Sequence, residues 1–494
     1  MASSLSFQGV TTGLQTDSLI KAIMQQEGLP VQRLKERYNM NTQRSAALNA
    51  MRTGMSSLAT STAQLFDKFG ARSVSSTDAN GTYATATASG AVGGSYEVKV
   101  TTVATKGQLA PTMSGGVPTN LAVADPNAAI LLTGSGQFTV QGTDGVTKAF
   151  TLTNNSLYGL RDAINASGAG VTASVINTGT GTNPYQLVVT AKETGTGTTG
   201  GKVTLATTND TTVVASLGIT NGGVASSGSG IAKDAVFSVN GIELTRQTNI
   251  VKDAVDGVTF ALKKGDASNA TTLTVAQDKT AITSAMQDVL TKFNAVLKTY
   301  KDSSTITRNA ETGETTSGPL AGDAVARSVI SQMRAVLGGA PDGLPGSATF
   351  KSAAELGIKT NVDGTLSLDT KIFQEALDKD PDAVKKVFSF SGTSTNGAVS
   401  FTSGTSATAT GSVDFNLTYG VGGAISGSLS YGGTTYSGLT GTNGTLQGPA
   451  GTPLEGLRLA VTGSGSGTMT LSRGVGQKLQ DLITSLTSYS GTIE

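Results

Sequence analysis

Residues 281–300 read AITSAMQDVLTKFNAVLKTY, and within them Ile282, Met286, Val289, Phe293, Val296 and Tyr300 recur in 4-3-4-3-4 steps. Such spacing lines up on one face only in a helix, and a strict heptad seam asks for another helix to cover it. A matching seam lies near the start of the chain. From Val31 to Phe69 it runs Val31, Leu34, Tyr38, Asn41, Ser45, Leu48, then Met51, Met55, Leu58, Thr62, Leu65 and Phe69. Its three- and four-residue steps alternate, with one extra three-residue step from Leu48 to Met51, as in a coiled coil with a stammer. An amphipathic helix resting on an ordinary core would give a similar stripe, but polar Asn41 and Ser45 suit a register-setting contact between helices better. Leu48, Met55, Leu58 and Leu65 are expected to meet Ile282, Met286, Val289 and Phe293 in one helical layer. Leu34, Tyr38 and Val296 extend the same candidate partner-binding seam.

Upstream, either Thr16 or Asp17 can cap a short helix carrying Leu19, Ile20, Ile23 and Met24, which Gly28 and Pro30 are expected to interrupt. Downstream of Ala71 the period falls to two: Tyr96, Val98 and Val100, then Phe138 and Val140, alternate with polar neighbours as half-buried strands do. Gly/Ser/Thr clusters at 179–182, 194–201 and 221–230 mark loops. Strands return over 236–275, punctuated by the turn pairs Asn240-Gly241 and Asp256-Gly257. Helices are expected again at 320–337 and 369–388, then a low-charge β stretch over about 389–472, then a last helix from Val475 through Leu479, Leu482 and Leu486. This layout predicts an α+β multidomain chain: a terminal coiled-coil or helical-bundle leg with projecting antiparallel β head domains. The expected division is 1–45 and 46–75 for the N-terminal helical parts, 76–110 with 232–277 for a first β head, 111–231 for an inserted β head, 278–388 for the helical bundle, 389–472 for an inserted β module and 473–494 for the start of a C-terminal helix.

Composition argues for a building block. The 494 residues contain no His, Cys or Trp, so imidazole bases, thiol nucleophiles and His or Cys metal sites are excluded, as are disulfides. Lys plus Arg is 35 against 34 for Asp plus Glu, with no long run of either sign, so no electrostatic footprint for nucleic acid or anionic lipid exists. The first sixteen residues have neither a basic nor an apolar signal region, and no apolar run approaches the ~18 residues of a membrane span. The chain is therefore expected to stay in the cytoplasm or to leave by a route without a cleaved signal.

Motifs that invite chemistry have simpler readings. Gly195-Thr-Gly197-Thr-Thr-Gly200 has the GxGxxG form, but Lys202-Val203-Thr204-Leu205 continues as strand, leaving no helix N-terminus for a pyrophosphate. Gly201-Lys202 lacks the first P-loop glycine and is followed by Val203 where Ser or Thr would hold magnesium. Asn361-Val-Asp363-Gly364 reads as a turn, because Lys359 occupies the position of a first calcium ligand. Asp378, Asp380 and Asp382 flank Pro381 and suit a helix start. No catalytic, cofactor or metal site is expected; a carboxylate hydrolase in the β head is the least favoured alternative.

Several segments resemble, in order, the flagellar hook-associated protein 2, or filament-cap, family. Gly13-Leu14-Gln15-Thr16-Asp17-Ser18-Leu19-Ile20, with Glu27 and Pro30, is similar to its N-terminal pattern. So are Asn240-Gly241, Arg246, Asn249, Asp253, Gly257-Val258-Thr259 and Leu262, and Leu320, Gly322-Asp323, Arg327 and Arg334. A further match runs from Leu356-Gly357-Ile358 through Gly364, Leu366, Leu368-Asp369, Ala376-Leu377, Asp380-Pro381 and Val384 to Phe388. In the head, Leu157, Leu160, Ala163-Ile164-Asn165, Gly170 to Val175, Tyr185 and Leu187 resemble the hook/flagellin insertion repeat, a small helix feeding a β-hairpin. Family members usually finish with a long C-terminal heptad helix; here either the chain continues beyond Glu494 or the N-terminal seam finds its partner in another subunit.

The resemblance implies a non-enzymatic protein exported through the flagellar type III apparatus, with residues 1–45 as export and leg segment. It implies a homo-oligomeric, pentamer-like ring at the filament tip, under which flagellin inserts and polymerises, with hook–filament junction proteins and an export chaperone as further partners. Register-tolerant legs would let the ring step without covalent chemistry. Two alternatives come from other classes: an adhesin whose β heads bind host mucin or glycans, and a flagellin or junction component.

Overall fold

The computed structural model describes residues 16–90, 92–130, 136–207, 217–219 and 223–488; the side chains of Thr16 and Asp17, the two candidate caps, and the opening residues read as an export segment lie outside that description. About a third of the chain is helical (32%) and 35% is strand. The described helices are α1 (Thr16–Lys68), α2 (Leu157–Ala166), α3 (Lys279–Ser304), α4 (Ala324–Gly338), α5 (Thr370–Lys379), α6 (Pro381–Phe388) and α7 (Val475–Thr487). The chain forms two compact units, one of residues 1–69 with 278–494 and the other of residues 70–277.

In the first unit α1 does not stop at Pro30: it is one helix of 53 residues with the proline inside. Proline removes one backbone donor and crowds the carbonyl four residues earlier, here that of Gln26. All described side chains from Ser18 to Ala46 are exposed apart from half-buried Gly28, so that carbonyl can turn to water without disturbing any packing. Helical order begins to be paid back at Ala47, where Met51, Met55, Leu58, Leu65 and Phe69 become buried against Ile282, Met286, Val289, Phe293 and Val296 of α3. Gly54 lies directly on Val296, whose Cγ2 would be 3.0 Å from any Cβ placed there, and so lets the two helices approach closely. A polar pin crosses the same contact, Ser61 donating to Asp288.

Aspartates start four of the helices. Asp278, Asp323, Asp369 and Asp380 accept from the amides of Ala281, Ala326, Ile372 and Ala383, each satisfying a donor that a helix start leaves unpaired. The stretch expected as one helix over 369–388 is two, because Pro381 takes the first position of α6 and Asp380 serves as the end of α5 and the cap of α6. After Phe388 the chain enters a β module. Its five-stranded antiparallel sheet runs in the order Phe390–Ser394, Gly465–Arg473, Gly411–Tyr419, Ile425–Tyr431, Thr434–Gly441, beside a three-stranded sheet of Val399–Ser403, Arg458–Val461 and Thr445–Gln447. Val413, Phe415, Leu429, Leu446, Leu459 and Met469 fill the module's core. Arg473 ties the module to the helices: it donates to the carbonyls of Thr405 and Thr408, lies over the Phe390 ring and faces Asp481 of α7.

The second unit holds two β cores. In one, Arg72–Ser76, Ala270–Gln277, Gly94–Thr102, Ala235–Val239 and Ile242–Arg246 form an antiparallel sheet in that order, beside the three-stranded sheet of Ile250–Val255, Val258–Leu262 and Ala84–Ala88. Residues 72–76 are an edge strand, as the fall to period two after Ala71 leads one to expect; α1 stops at Lys68, short of the division drawn at residue 75, and Val74 alternates with Ser73 and Ser75 as a strand requires. Asn240-Gly241 turns the chain with both residues at positive φ, 50° and 80°, as a two-residue hairpin demands. In the other core α2 buries Leu157, Leu160 and Ile164 against the hairpin Val171–Asn177/Tyr185–Thr194. Asn165 locks that arrangement by accepting from the Ala173 amide and donating to its carbonyl. Lys106–Leu109 joins this second core, pairing with Tyr185–Thr194.

Candidate assembly surface

The helical seam is where the sequence placed its contact residues, and the structure treats its two halves differently. Met55, Leu58, Leu65, Ile282, Met286, Val289, Phe293 and Val296 share one buried cluster, with Leu48 half-buried at its margin. Within this chain those side chains already cover one another. Leu34 and Tyr38 are 68% and 71% exposed, and Leu19, Ile20, Ile23, Met24 and Met40 are exposed with them. Polar Asn41 and Ser45, expected to set register, are likewise at the surface. The N-terminal half of α1 therefore presents apolar side chains that the folded unit leaves uncovered, a surface normally reserved for association.

Where the exposed half meets the packed half, charge takes over from apolar contact. Arg44 donates to Asp323 at 2.8 Å, and Arg52 donates to the carbonyl of Thr487 at the end of α7. Gln480 of α7 donates to the Ala59 carbonyl. The Asp323 side chain is only 3% exposed. The Ala326 amide first, and the Arg44 guanidinium with it, hold its carboxyl below the usual 3.8, against the opposing effect of burial. A carboxyl with a lowered folded pKa contributes stability that is fully present above 3.8 and is lost as pH falls through the folded value. Asp323→Asn keeps a capping oxygen but removes the charge, so the variant should be less stable at pH 7 by about 1 kcal/mol, given that Arg44 is half in water. In urea titrations at stepped pH the gap between the two proteins should close below pH ~4; a gap that persists unchanged to pH 2 would contradict the assignment.

Two further surface features were not singled out from the sequence. A hairpin, Ile306–Arg308 paired with Thr315–Ser317, follows α3, and every residue from Thr305 to Ser317 is exposed. Elsewhere in the same unit, Phe293, Leu337, Ile358 and Leu366 line a cleft of about 480 Å³ with Arg334 among its lining residues. The hairpin was legible in principle, since Asn309 to Gly313 is a turn cluster between two short β-type runs; the cleft was not, because its walls come from five separate elements. Asn361 to Gly364 is the turn expected, with Gly364 at φ 81° between Ile358–Thr360 and Leu366–Leu368. Among the described residues no group of three or more Asp or Glu is placed to hold a metal ion, and no helix is long and apolar enough to cross a membrane.

Comparison with known proteins bears on this surface. The family profile described as flagellar hook-associated protein 2 C-terminus matches residues 232–494, that of the flagellar hook-associated protein 2 N-terminus matches 12–107, and the flagellin hook IN motif matches 137–193. The B-type flagellar hook-associated protein 2 of Pseudomonas aeruginosa is 28% identical over 396 residues, covering 77% of this chain and 79% of that protein. The flagellar hook-associated protein 2 of Escherichia coli strain K12 is 26% identical over 390 residues, with the same coverage of 77% and 79%. In fold, the chain is similar to the crystal structure of the flagellar cap protein FliD D1-D2-D3 domains from Escherichia coli, with a TM-score of 0.54 at 23% identity over 91% of this chain and 98% of that one.

Proposed function

The chain belongs to the flagellar hook-associated protein 2 family, and from that membership we propose how it works as the cap of the flagellar filament. It is exported to the filament tip, oligomerises there and promotes the insertion of flagellin, acting as a structural element. The observation that carries this reading is that the two family profiles bracket the chain, so that both the α1 start and the whole helical unit are accounted for. The finer mechanism is our own reading. Several copies close into a pentamer-like ring, with the helical units as legs and the uncovered seam around Leu34 and Tyr38 as the surface that engages the filament end and the hook–filament junction proteins. An export chaperone covers that apolar seam before secretion, since exposed apolar stripes of this size associate indiscriminately in water.

No group in the seam needs to react. A contact built from separate apolar side chains along a solvated helix can break and re-form one turn at a time, which suits a cap that must yield to each arriving subunit. The test is genetic and visual. A flagellated cell lacking this chain should release flagellin into the medium and bear hooks without filaments, and supplying the chain should restore filaments visible by electron microscopy. Filaments of normal length in the cell lacking it would overturn the capping role.

A further inference from the structure

We propose that the hairpin Ile306–Ser317 of one copy docks into the Arg334 cleft of a second copy of this chain, making a head-to-tail contact. The inference rests on the reading that the chain assembles, and it names the surfaces that do so within the helical unit.

The hairpin is the first half of the case. It has three ladder pairs, and the strand ends are continued by the Gly318 and Leu320 amides donating to the carbonyls of Thr305 and Ser303. Both of its faces and both of its edges are in water, although a lone two-stranded hairpin is at best marginally stable there. Ile306 is 61% exposed. Towards the tip stand Glu311 and Glu314, neither with an ion pair among the described residues, against a single opposite charge at Arg308. The arm therefore offers an aliphatic side chain, a net negative tip and unpaired backbone edges.

The cleft is the second half. Its floor is apolar, from Phe293, Leu337, Ile358 and Leu366, and its volume of about 480 Å³ exceeds what an isoleucine side chain needs. Arg334 at its edge makes no hydrogen bond or ion pair with any described residue; its guanidinium packs against Gly364, where any Cβ would collide with it. A positioned guanidinium with free donors beside an apolar floor recognises a carboxylate attached to an aliphatic-bearing segment. Lys359 at the same edge adds positive charge, though Asp369 pairs with it. The arm cannot fill its own cleft, since all twelve of its residues are exposed. Two different patches on one chain, each complementary to the other, form a heterologous contact, and such contacts generate closed rings when the rotation closes.

The test uses the full chain in sedimentation or light-scattering concentration series. Arg334→Glu, and Glu311→Lys combined with Glu314→Lys, should each weaken assembly by about tenfold or more, the scale of one close interfacial charge pair. The charge-exchanged protein carrying all three changes should recover most of the wild-type assembly constant. Circular dichroism melting should be the same in all of them, because each altered residue is exposed. If the wild type assembles and the reversals leave its assembly unchanged, or if the exchanged protein is no better than the single-site forms, the docking is overturned while the cap reading stands. A wild-type chain that remains monomeric at every concentration overturns the assembly reading and the docking together.

Discussion

Leu58→Ala should lower the stability of the helical unit by about 2–5 kcal/mol, the range for truncating a fully buried leucine whose cavity cannot collapse. Leu58 has no solvent exposure and sits in the cluster shared by α1 and α3, one turn from Met55 and from Thr62, whose hydroxyl is tied to the Leu58 carbonyl. Alanine is the better helix former, so the loss cannot come from the helix itself. Leu34→Ala is the internal control: it makes the same chemical change on the same helix at a side chain that is mostly in water, and should shift stability by less than about 0.5 kcal/mol. Urea unfolding followed by far-ultraviolet circular dichroism separates the two. Equal effects at both positions would mean that the α1–α3 seam does not carry the unit.

Phe260→Ala should cost the β unit about 3–5 kcal/mol. Phe260 is fully buried on the strand Val258–Leu262, which is paired on both sides by Ile250–Val255 and Ala84–Ala88. Its ring meets Tyr96 edge to face, centroids 6.3 Å apart at 81°, an arrangement that adds to simple burial. Leu58 and Phe260 belong to different hydrophobic clusters. In the double variant their effects should therefore add to within about 0.5 kcal/mol. A chain with two compact units need not unfold in one step, so calorimetry should be read transition by transition, with Phe260→Ala moving the one that Leu58→Ala leaves in place. If a single transition shifts by the sum of both, the units unfold as one cooperative body.

Much of this architecture could be read from periodicity. The 4-3 spacing of Ile282 to Val296 depends only on which residues are apolar and how far apart they stand, and it identified α3 and the face it buries. The same logic located Met55, Leu58 and Leu65, and the insertion repeat with Leu157, Leu160 and Ile164 under a hairpin. Four aspartates at helix starts carry their own signal, because a short side chain with an acceptor caps a helix locally. Local rules misled where a local penalty was outweighed or a local pattern was short. Pro30 reads as a stop, yet it costs one donor in a segment where water can replace it. The division drawn at residue 75 overran α1, which stops at Lys68, because the five residues of the strand Arg72–Ser76 are too few to fix where one period gives way to the other.

From the order of residues alone came the helix–β–helix plan, the absence of any His or Cys chemistry and the identity of the α1 and α3 seams, because each depends on composition or on spacing within one segment. Which part of the α1 seam is covered was decided by tertiary structure. Leu34 and Leu58 occupy equivalent seam positions, and only the placement of α3 and α7 buries one and leaves the other in water. The same holds for Arg334 and its cleft: a guanidinium against Gly364 beside Phe293 and Leu366, with no partner among the described residues, arises from elements distant in the chain, and no local pattern encodes which side chains long-range packing will leave so.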